Sequence, residues 1–142
     1  MDQKYLYKVI VAAVIFNEKK EVLLGKRSLT EDVLPGYWGL PGGKVENKES
    51  IQDILEEDLK REVFEEIGAK IDNIKYLESH LSDGEKINIC FTAKIKEGIP
   101  KPLDETEEIK WTKIEELTNI KITPHTLDRV KLAYEAIFSK LR

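Results

Sequence analysis

Cysteine is nearly absent from this 142-residue chain, since Cys90 is the only one. A single thiol excludes an intramolecular disulfide and a cysteine-rich zinc site. Cys90 lies in an alternating apolar run, which predicts a packed side chain rather than a reactive one. Long apolar stretches are missing too, because no run approaches the ~20 residues of a membrane span and residues 1–8 have no signal-like core. We therefore expect a cytoplasmic protein that does not contact a membrane.

Clustered positive charge is also lacking. The chain has 23 Lys and Arg against 27 Asp and Glu, a formal net charge of -4, and no basic stripe. Binding to a long nucleic acid depends on clustered cations that displace counterions, so this class of function is disfavoured. An acidic protein that acts on phosphates needs a metal ion or a few well-aimed cations. Neither a linker nor a repeat divides the chain, which predicts one domain over residues 1–142.

The pattern of apolar residues predicts strands mixed with two helices. Short apolar or alternating runs predict six strands, at residues 9–16, 21–27, 37–40, 71–81, 86–95 and 109–112. Asp83 and Gly84 are typical of a tight hairpin turn between the fourth and fifth of them. Apolar residues recur every three or four positions from Glu49 to Ile67, which predicts a helix. A terminal helix is predicted to open with Thr123 as N-cap. This order favours an α/β sandwich.

Three glutamates concentrate at the end of the first predicted helix. Glu62, Glu65 and Glu66 are spaced i, i+3 and i+4, so their side chains project from one helix face. Like charges at this spacing repel, and the last turns of a helix favour cations instead. A hard divalent cation bound by carboxylate oxygens would reverse both penalties. The alternative is a solvated, glutamate-rich face. The turn at Gly42 and Gly43 favours the metal, because a backbone carbonyl there is a further oxygen ligand.

The residues around this helix resemble the Nudix box. That motif consists of Gly, five residues, Glu, seven residues, and then Arg-Glu-apolar-any-Glu-Glu-any-Gly-apolar. Residues 43–49 fit its first half, and residues 61–69 fit its second half at every specified position. The approach to the box, residues 38–46, is similar to that of the family as well. Two matched halves in the right order are a highly specific signal.

The spacing between the two halves departs from the family pattern. Eleven residues, rather than seven, separate Glu49 from Arg61. Four extra residues add a little over one helical turn, so the apolar stripe survives if the insertion lengthens the helix. Alternatively, the preceding loop absorbs the insertion, and Asp53 takes the place of the first box glutamate. We favour the longer helix, and either assignment leaves the second half of the box intact.

The resemblance implies a Nudix-type αβα sandwich with a mixed central sheet and helices on both faces. It also implies a reaction in which water attacks a phosphorus of a nucleoside diphosphate derivative with the help of Mg2+, or of Mn2+ as the alternative ion. By motif position, Arg61 is expected to hold the metal-binding carboxylates in place without binding the metal itself. The metal ligands implied by the box are the carbonyl of Gly42 and the side chains of Glu62, Glu65 and Glu66.

The general base and the substrate contacts are less sharply defined. In the family the base is a box glutamate or an acid of a later loop, and we favour the box. The later-loop candidates are Glu105, Glu107 and Glu108. Arg27 and Lys44 are candidates for binding phosphate, with plain surface positions as the alternative. Trp38 is a candidate for stacking on a base, although packing is the better interpretation. Trp111 is expected in the core, and His80 and His125 are expected at the surface.

Two classes of function remain open. The leading hypothesis is a diphosphohydrolase, with ordinary or oxidised nucleoside triphosphates favoured over ADP-ribose or another nucleotide sugar because the chain is compact. The alternative is a Nudix-fold module that senses a nucleotide without cleaving it. The insertion is its only support, since no box glutamate is missing. The resemblance is also compatible with a homodimer.

Overall fold

Four strands, a helix, three strands and a second helix follow one another along residues 6–139, which the computed structural model describes. The elements are β1 (Lys8–Ile15), β2 (Val22–Arg27), β3 (Trp38–Gly39), β4 (Gly42–Lys44), α1 (Ile54–Ile67), β5 (Lys70–Ser82), β6 (Lys86–Glu97), β7 (Thr106–Thr112) and α2 (Thr126–Phe138). A short 3-10 helix, Ile114–Asn119, lies between β7 and α2. All six predicted strands are present with shifted ends. β4 is an additional strand, formed where the sequence predicted only a Gly-Gly turn.

The strands form two sheets. Four strands lie in the order β4-β1-β6-β5, and three in the order β3-β2-β7. β1 is parallel to β6, whereas β4 and β5 are antiparallel to their neighbours, so the larger sheet is mixed as expected. The hairpin of β5 and β6 turns at Asp83 and Gly84, whose φ angles of 56° and 69° are both positive. A type I′ turn requires this conformation, and Asp-Gly adopts it at low cost.

The helices cover opposite faces of the larger sheet. Val11 and Ala13 of β1 pack in one core cluster with Val63 of α1. Val14, which points to the other face, packs in a second cluster with Val130 of α2. Alternate residues of a strand point to opposite faces, so these two clusters place one helix on each side. The expected αβα sandwich is therefore confirmed. Within residues 6–139, no helix is both long and apolar enough to cross a membrane.

The prediction for the start of α1 was wrong. The helix begins at Ile54 rather than Glu49, and the residue before it, Asp53, has a left-handed conformation with φ 53°. In the preceding segment the side chain of Asn47 accepts the N–H of Glu49 at 2.8 Å. Such a local side-chain bond offers the backbone an alternative to helix. The extra residues therefore lie in the loop 45–53, which is the alternative to a lengthened helix.

The start of α2 also differs from the prediction. The helix begins at Thr126, and His125 precedes it with φ 70°, so Thr123 is not the N-cap. The hydroxyl groups of Thr123 and Thr126 are 2.6 Å apart, and the N–H of Thr126 bonds to the carbonyl of Thr123. These contacts close a turn at residues 123–126 before the helix starts, which sets the position of His125.

Candidate active site

The edge strand β4 lies against the C-terminal half of α1. Gly42 is paired with Ala12 of β1, and the hydrogen bond beside this pair runs from the N–H of Ala13 to the carbonyl of Pro41 at 2.9 Å. In an antiparallel ladder this pattern leaves the N–H and carbonyl of Gly42 out of the pairing with β1. The N–H of Gly42 donates instead to Glu66 Oε1 at 2.8 Å. Strand and helix are thus joined directly at the box.

Both glycines of the turn are required by close approach. A Cβ at Gly42 would collide with the backbone of Val11 and Ala12, because β1 passes directly beside it. A Cβ at Gly43 would collide with the carboxylate of Glu62. Only residues without a side chain allow β1 on one side and the α1 glutamate on the other to come this near.

A single guanidinium group links the acids of α1. Arg61 Nη2 lies 3.0 Å from Glu62 Oε1 and 3.4 Å from Asp58 Oδ2, and Nη1 lies 3.1 Å from Glu65 Oε1. Burial works to lower the pKa of Arg61, but the bond to Asp58 and the negative charges around it raise the pKa above its usual value. Arg61 is therefore held as a cation among three carboxylates.

Glu66 is the most confined acid of the box. Burial raises its pKa to about 8, although the N–H of Gly42 and the charge of Arg27 oppose the rise. The charges of Glu62 and Asp104 raise it further. Among the described residues, no cation lies within ion-pair distance of Glu66, whereas Glu62 and Glu65 both contact Arg61. A carboxylate in this position is costly to ionise unless a cation approaches it.

The donor set suits a hard divalent cation. Glu62, Glu65 and Glu66 offer carboxylate oxygens from adjoining turns, beside a backbone carbonyl that β1 does not use. As the side chains stand in residues 6–139, no three acidic, His or Cys groups converge into a ready-made metal cluster. Glu65 is turned to Arg61 and Glu66 to Gly42. A metal ion at this position would replace part of these contacts.

Arg27 lies at the end of β2, on the side of Glu66. Its guanidinium donates to Glu31 Oε1 at 2.9 Å and to the carbonyl of Val33 at 2.9 Å. It therefore organises the loop 28–36 while its charge reaches Glu66. Glu105 lies near Arg27 and Glu31. A hydrogen bond with Glu31 and the negative charge of Glu31 raise the pKa of Glu105.

The later-loop acids are divided between two environments. Glu107 Oε2 accepts the N–H of Leu29, in the loop after β2, at 3.2 Å, and Glu108 lies 3.7 Å from Lys26 of β2. Asp104, which belongs to no predicted site, is a later-loop acid whose charge raises the pKa of Glu66. The N–H of Leu103 donates to the carbonyl of Glu66 at 2.9 Å. That backbone contact brings the loop over the end of α1, and no local sequence signal indicates it.

The other sequence-predicted candidates lie at the edges of this arrangement. Lys44 is exposed at the end of β4. Trp38 is half-buried against the α2-side core, with the ammonium of Lys110 5.9 Å from its ring centre. Trp111 packs against the α1-side core, as expected. Cys90 is fully buried, and burial raises the pKa of its thiol to about 12, which agrees with a packed side chain.

A cavity of about 400 Å³ lies on the other face of the sheet, at the N-terminal end of α2. It is lined in part by His80 and His125, whose ring centres are 4.3 Å apart. Arg129 Nε donates to Glu78 Oε1 at 2.6 Å in its wall. The sequence placed both histidines at the surface and gave no reason to join them. Only the register of β5 brings His80 to the helix that His125 precedes.

The cavity and the box are connected through the sheet. Gly42 is paired with Ala12, Ala12 with Cys90, and Cys90 with Glu78, so the four residues form one row across four strands. Three strand spacings correspond to about 14 Å. Trp38 also bonds through its backbone to residues 121 and 123, just before α2. Gly42 and the cavity wall at Glu78 therefore lie at the same level along the strands.

A mixed sheet between two helices, with acids of one helix set against a Gly-Gly edge strand, defines a Nudix-type architecture. The family model described as NUDIX domain matches residues 6–134, and the chain belongs to this family of nucleotide hydrolases. The MutT protein of Methanosarcina mazei has a similar structure, with a TM-score of 0.68 and 30% identity over 96% of this chain and 99% of that one.

Two curated relatives match shorter regions. The 8-oxo-dGTP diphosphatase of Proteus vulgaris is 35% identical over 83 residues, which cover 58% of this chain and 68% of that protein. The 8-oxo-dGDP phosphatase NUDT18 of Danio rerio is 48% identical over 59 residues, 42% of this chain. The match spans only 16% of the Danio rerio protein, so it concerns a segment of that longer chain.

Proposed function

We propose that this chain is a Mg2+-dependent diphosphohydrolase that cleaves a phosphoanhydride bond of nucleoside triphosphates, ordinary or oxidised. The observation that carries the proposal is the contact of Gly42 with Glu66. It sets a confined carboxylate, which has no cation at ion-pair distance within residues 6–139, beside two further box glutamates. The names of the relatives from Proteus vulgaris and Danio rerio support an oxidised purine nucleotide as the first substrate to test.

The proposed ligands of the metal are Glu62, Glu65, Glu66 and the carbonyl of Gly42. Bound there, a divalent ion would neutralise diphosphate oxygens and lower the pKa of a water molecule. Arg61 keeps two of the carboxylates in place without donating to Glu66. Burial raises the pKa of Glu62 and Arg61 opposes that rise, which supports a box glutamate as the proton acceptor.

The cations around the box are suited to phosphate. Arg27 is fixed by Glu31 and Val33, and its charge already acts on Glu66. Lys44 is exposed on the adjoining edge strand and is free to turn toward an anion. We assign both to the phosphate chain of the substrate. The charge of Arg27 acts on both Glu105 and Glu66, so among the later-loop acids we keep Glu105 as the alternative base.

The cavity at α2 is the proposed site for the nucleoside. It lies about three strand spacings from Gly42, a separation comparable to the length of an extended nucleotide. Its volume of about 400 Å³ is in the range of small-ligand pockets. The rings of His80 and His125 offer stacking surfaces, while Glu78 and Arg129 offer an acceptor and donors to the edge of a base.

The test is hydrolysis of a nucleotide panel with Mg2+ and with chelator. The panel contains ordinary and 8-oxo nucleoside triphosphates, ADP-ribose, NADH and dinucleoside polyphosphates. Metal-dependent release of pyrophosphate or phosphate from triphosphates supports the proposal. Turnover of ADP-ribose alone contradicts the proposed substrate. Tight nucleotide binding without turnover of any member contradicts catalysis and indicates a sensing module.

A matched pair of variants links any activity to the box. Glu66→Gln removes the confined carboxylate, whereas Glu57→Gln removes an exposed acid of the same helix that pairs with Lys60. Loss of turnover in the first variant but not in the second supports hydrolysis at the box. Equal activity of both variants contradicts it.

A further inference from the structure

We infer that Asp58 is a positioning residue for the metal site, acting through Arg61 on Glu62 and Glu65. The inference rests on the proposed metal-dependent function. Neither Glu49 nor Asp53, the two acids that box spacing offers, has this role: in the described part of the chain, no hydrogen bond or ion pair joins their side chains to the box. Asp58 is not specified by the box pattern.

Burial sets Asp58 apart from the other acids of α1. Its residue is 1% exposed, whereas Glu57 and Glu65 have side chains that are about half exposed. Carboxylates are rarely this buried unless they are paired, because removing their charge from water is costly. Asp58 is paired twice through Oδ2, with the N–H of Glu46 at 3.0 Å and with Arg61 Nη2 at 3.4 Å.

The contact with Arg61 fixes the orientation of a planar group. The guanidinium presents its donors in a rigid fork, so holding one corner sets the direction of the others. With Nη2 between Asp58 and Glu62, Nη1 faces Glu65. Without Asp58, the same cation would be shared by two box carboxylates alone. Arg61 would then compete more strongly with a metal ion for the carboxylates of Glu62 and Glu65.

The contact with Glu46 fixes the loop that carries the insertion. The N–H of Val45, directly after β4, donates to the carbonyl of Val9 in β1. The N–H of the next residue, Glu46, donates to Asp58. The loop 45–53 is thereby anchored to α1 directly after the Gly-Gly turn. Asp58 therefore joins the two parts of the site, the edge strand and the glutamate helix.

The experiment measures Mn2+ affinity of the nucleotide-free protein by calorimetry. Asp58→Asn keeps the size of the side chain and an oxygen acceptor for Glu46 but removes the charge that orients Arg61. We expect its dissociation constant for Mn2+ to rise by about tenfold, the lower end of the effect of supporting residues at metal sites. The control, Glu57→Gln, makes the same charge change at an exposed position and should bind Mn2+ like the wild type.

A double-mutant cycle tests whether Asp58 acts through Arg61. In an Arg61→Ala background, Asp58→Asn should change Mn2+ affinity by less than about twofold, since its intermediary is already gone. A full tenfold loss in that background overturns the inference. Should Asp58→Asn not fold, Arg61→Lys tests the same link at a more exposed position. Lysine keeps the charge but not the fork, so an unchanged Mn2+ affinity of Arg61→Lys also overturns the inference.

Two further readouts separate positioning from plain stability. If Asp58→Asn lowers the melting temperature in chelator but leaves Mn2+ affinity unchanged, Asp58 has only a structural role and the inference fails. Amide exchange at Glu46 should remain slow in Asp58→Asn and become fast in Asp58→Ala, and equal exchange in both contradicts the anchoring of the loop. A wild-type protein that binds no Mn2+ overturns the proposed metal site itself, a result distinct from an Asp58 variant that binds as well as wild type.

Discussion

The carboxylate of Glu62 occupies the space that a side chain at Gly43 would need. The contact joins the first residue of the box to a glutamate of its second half, across β4 and α1. Burial raises the pKa of Glu62, while Arg61 opposes that rise. Residue 43 therefore determines where one of the proposed metal ligands can lie, although it contributes no side chain of its own.

Gly43→Ala should impair the site more than the fold. The added methyl group meets the end of a flexible side chain, so Glu62 can rotate away at modest cost while its carboxylate leaves the site. We expect a tenfold or larger loss of kcat/KM, about 1.4 kcal/mol, with a small change in melting temperature. Gly84→Ala is the control: it has open space but φ 69°, so it should cost about 1 kcal/mol of stability and leave kcat/KM unchanged. Unimpaired turnover of Gly43→Ala would show that Glu62 is not needed where it lies.

Glu66→Gln should abolish most turnover without unfolding the protein. The amide oxygen of glutamine can still accept the N–H of Gly42, so the link between β4 and α1 survives. The negative charge that a metal ion needs is lost, and we expect kcat to fall by two orders of magnitude or more, about 2.7 kcal/mol. Circular dichroism and steady-state kinetics with Mg2+ check the two halves of the prediction. Near-normal kcat would contradict the proposed role of Glu66.

The metal-free protein should lose stability as the pH rises toward 8. The folded pKa of Glu66 is about 8, against an ordinary value of 4.5, so between these values the folded state binds a proton that the unfolded state has released. Stability falls with pH wherever the folded state binds more protons. Thermal unfolding in chelator from pH 5 to 8 should show this slope in the wild type and a flatter one in Glu66→Gln. Identical slopes would contradict the raised pKa.

His125→Ala should weaken nucleotide binding rather than catalysis. If a base stacks in the cavity at α2, losing one ring should cost ~1 kcal/mol or more, a fivefold rise in KM, with kcat nearly unchanged. Lys131→Ala, an exposed change on the same helix, is the control and should behave like the wild type. A fall in kcat with constant KM would indicate that the cavity does not hold the nucleoside.

Local patterns were sufficient for much of the fold. The run of Val and Ile in β1 and the Asp-Gly turn at 83–84 each report on a few adjacent residues, and both elements are present. The start of α1 was wrong because an apolar stripe continues back to Ile51, which is 40% exposed in the loop. The spacing of apolar residues gives no information on the hydrogen bond from the N–H of Glu49 to the side chain of Asn47, which favours a turn over a helix there.

The site was harder to predict where it depends on distant residues. The glutamates of the box could be named from their spacing, since i, i+3 and i+4 share a helix face. Asp58 could not, because a buried aspartate in a run of charged residues looks like its solvated neighbours. Asp104 reaches Glu66, and His80 reaches His125, only through loop and sheet contacts between residues far apart in sequence.

The loop 45–53 has a practical consequence for engineering. Both of its ends are fixed, at Val45 by β1 and at Ile54 by the first turn of α1, while its middle residues are exposed. Lengthening a flexible loop costs only about 0.6 kcal/mol per doubling of its length. Residues 48–50 are therefore a suitable place to graft a fluorescent label or an affinity tag, which would report on the box from outside without entering it.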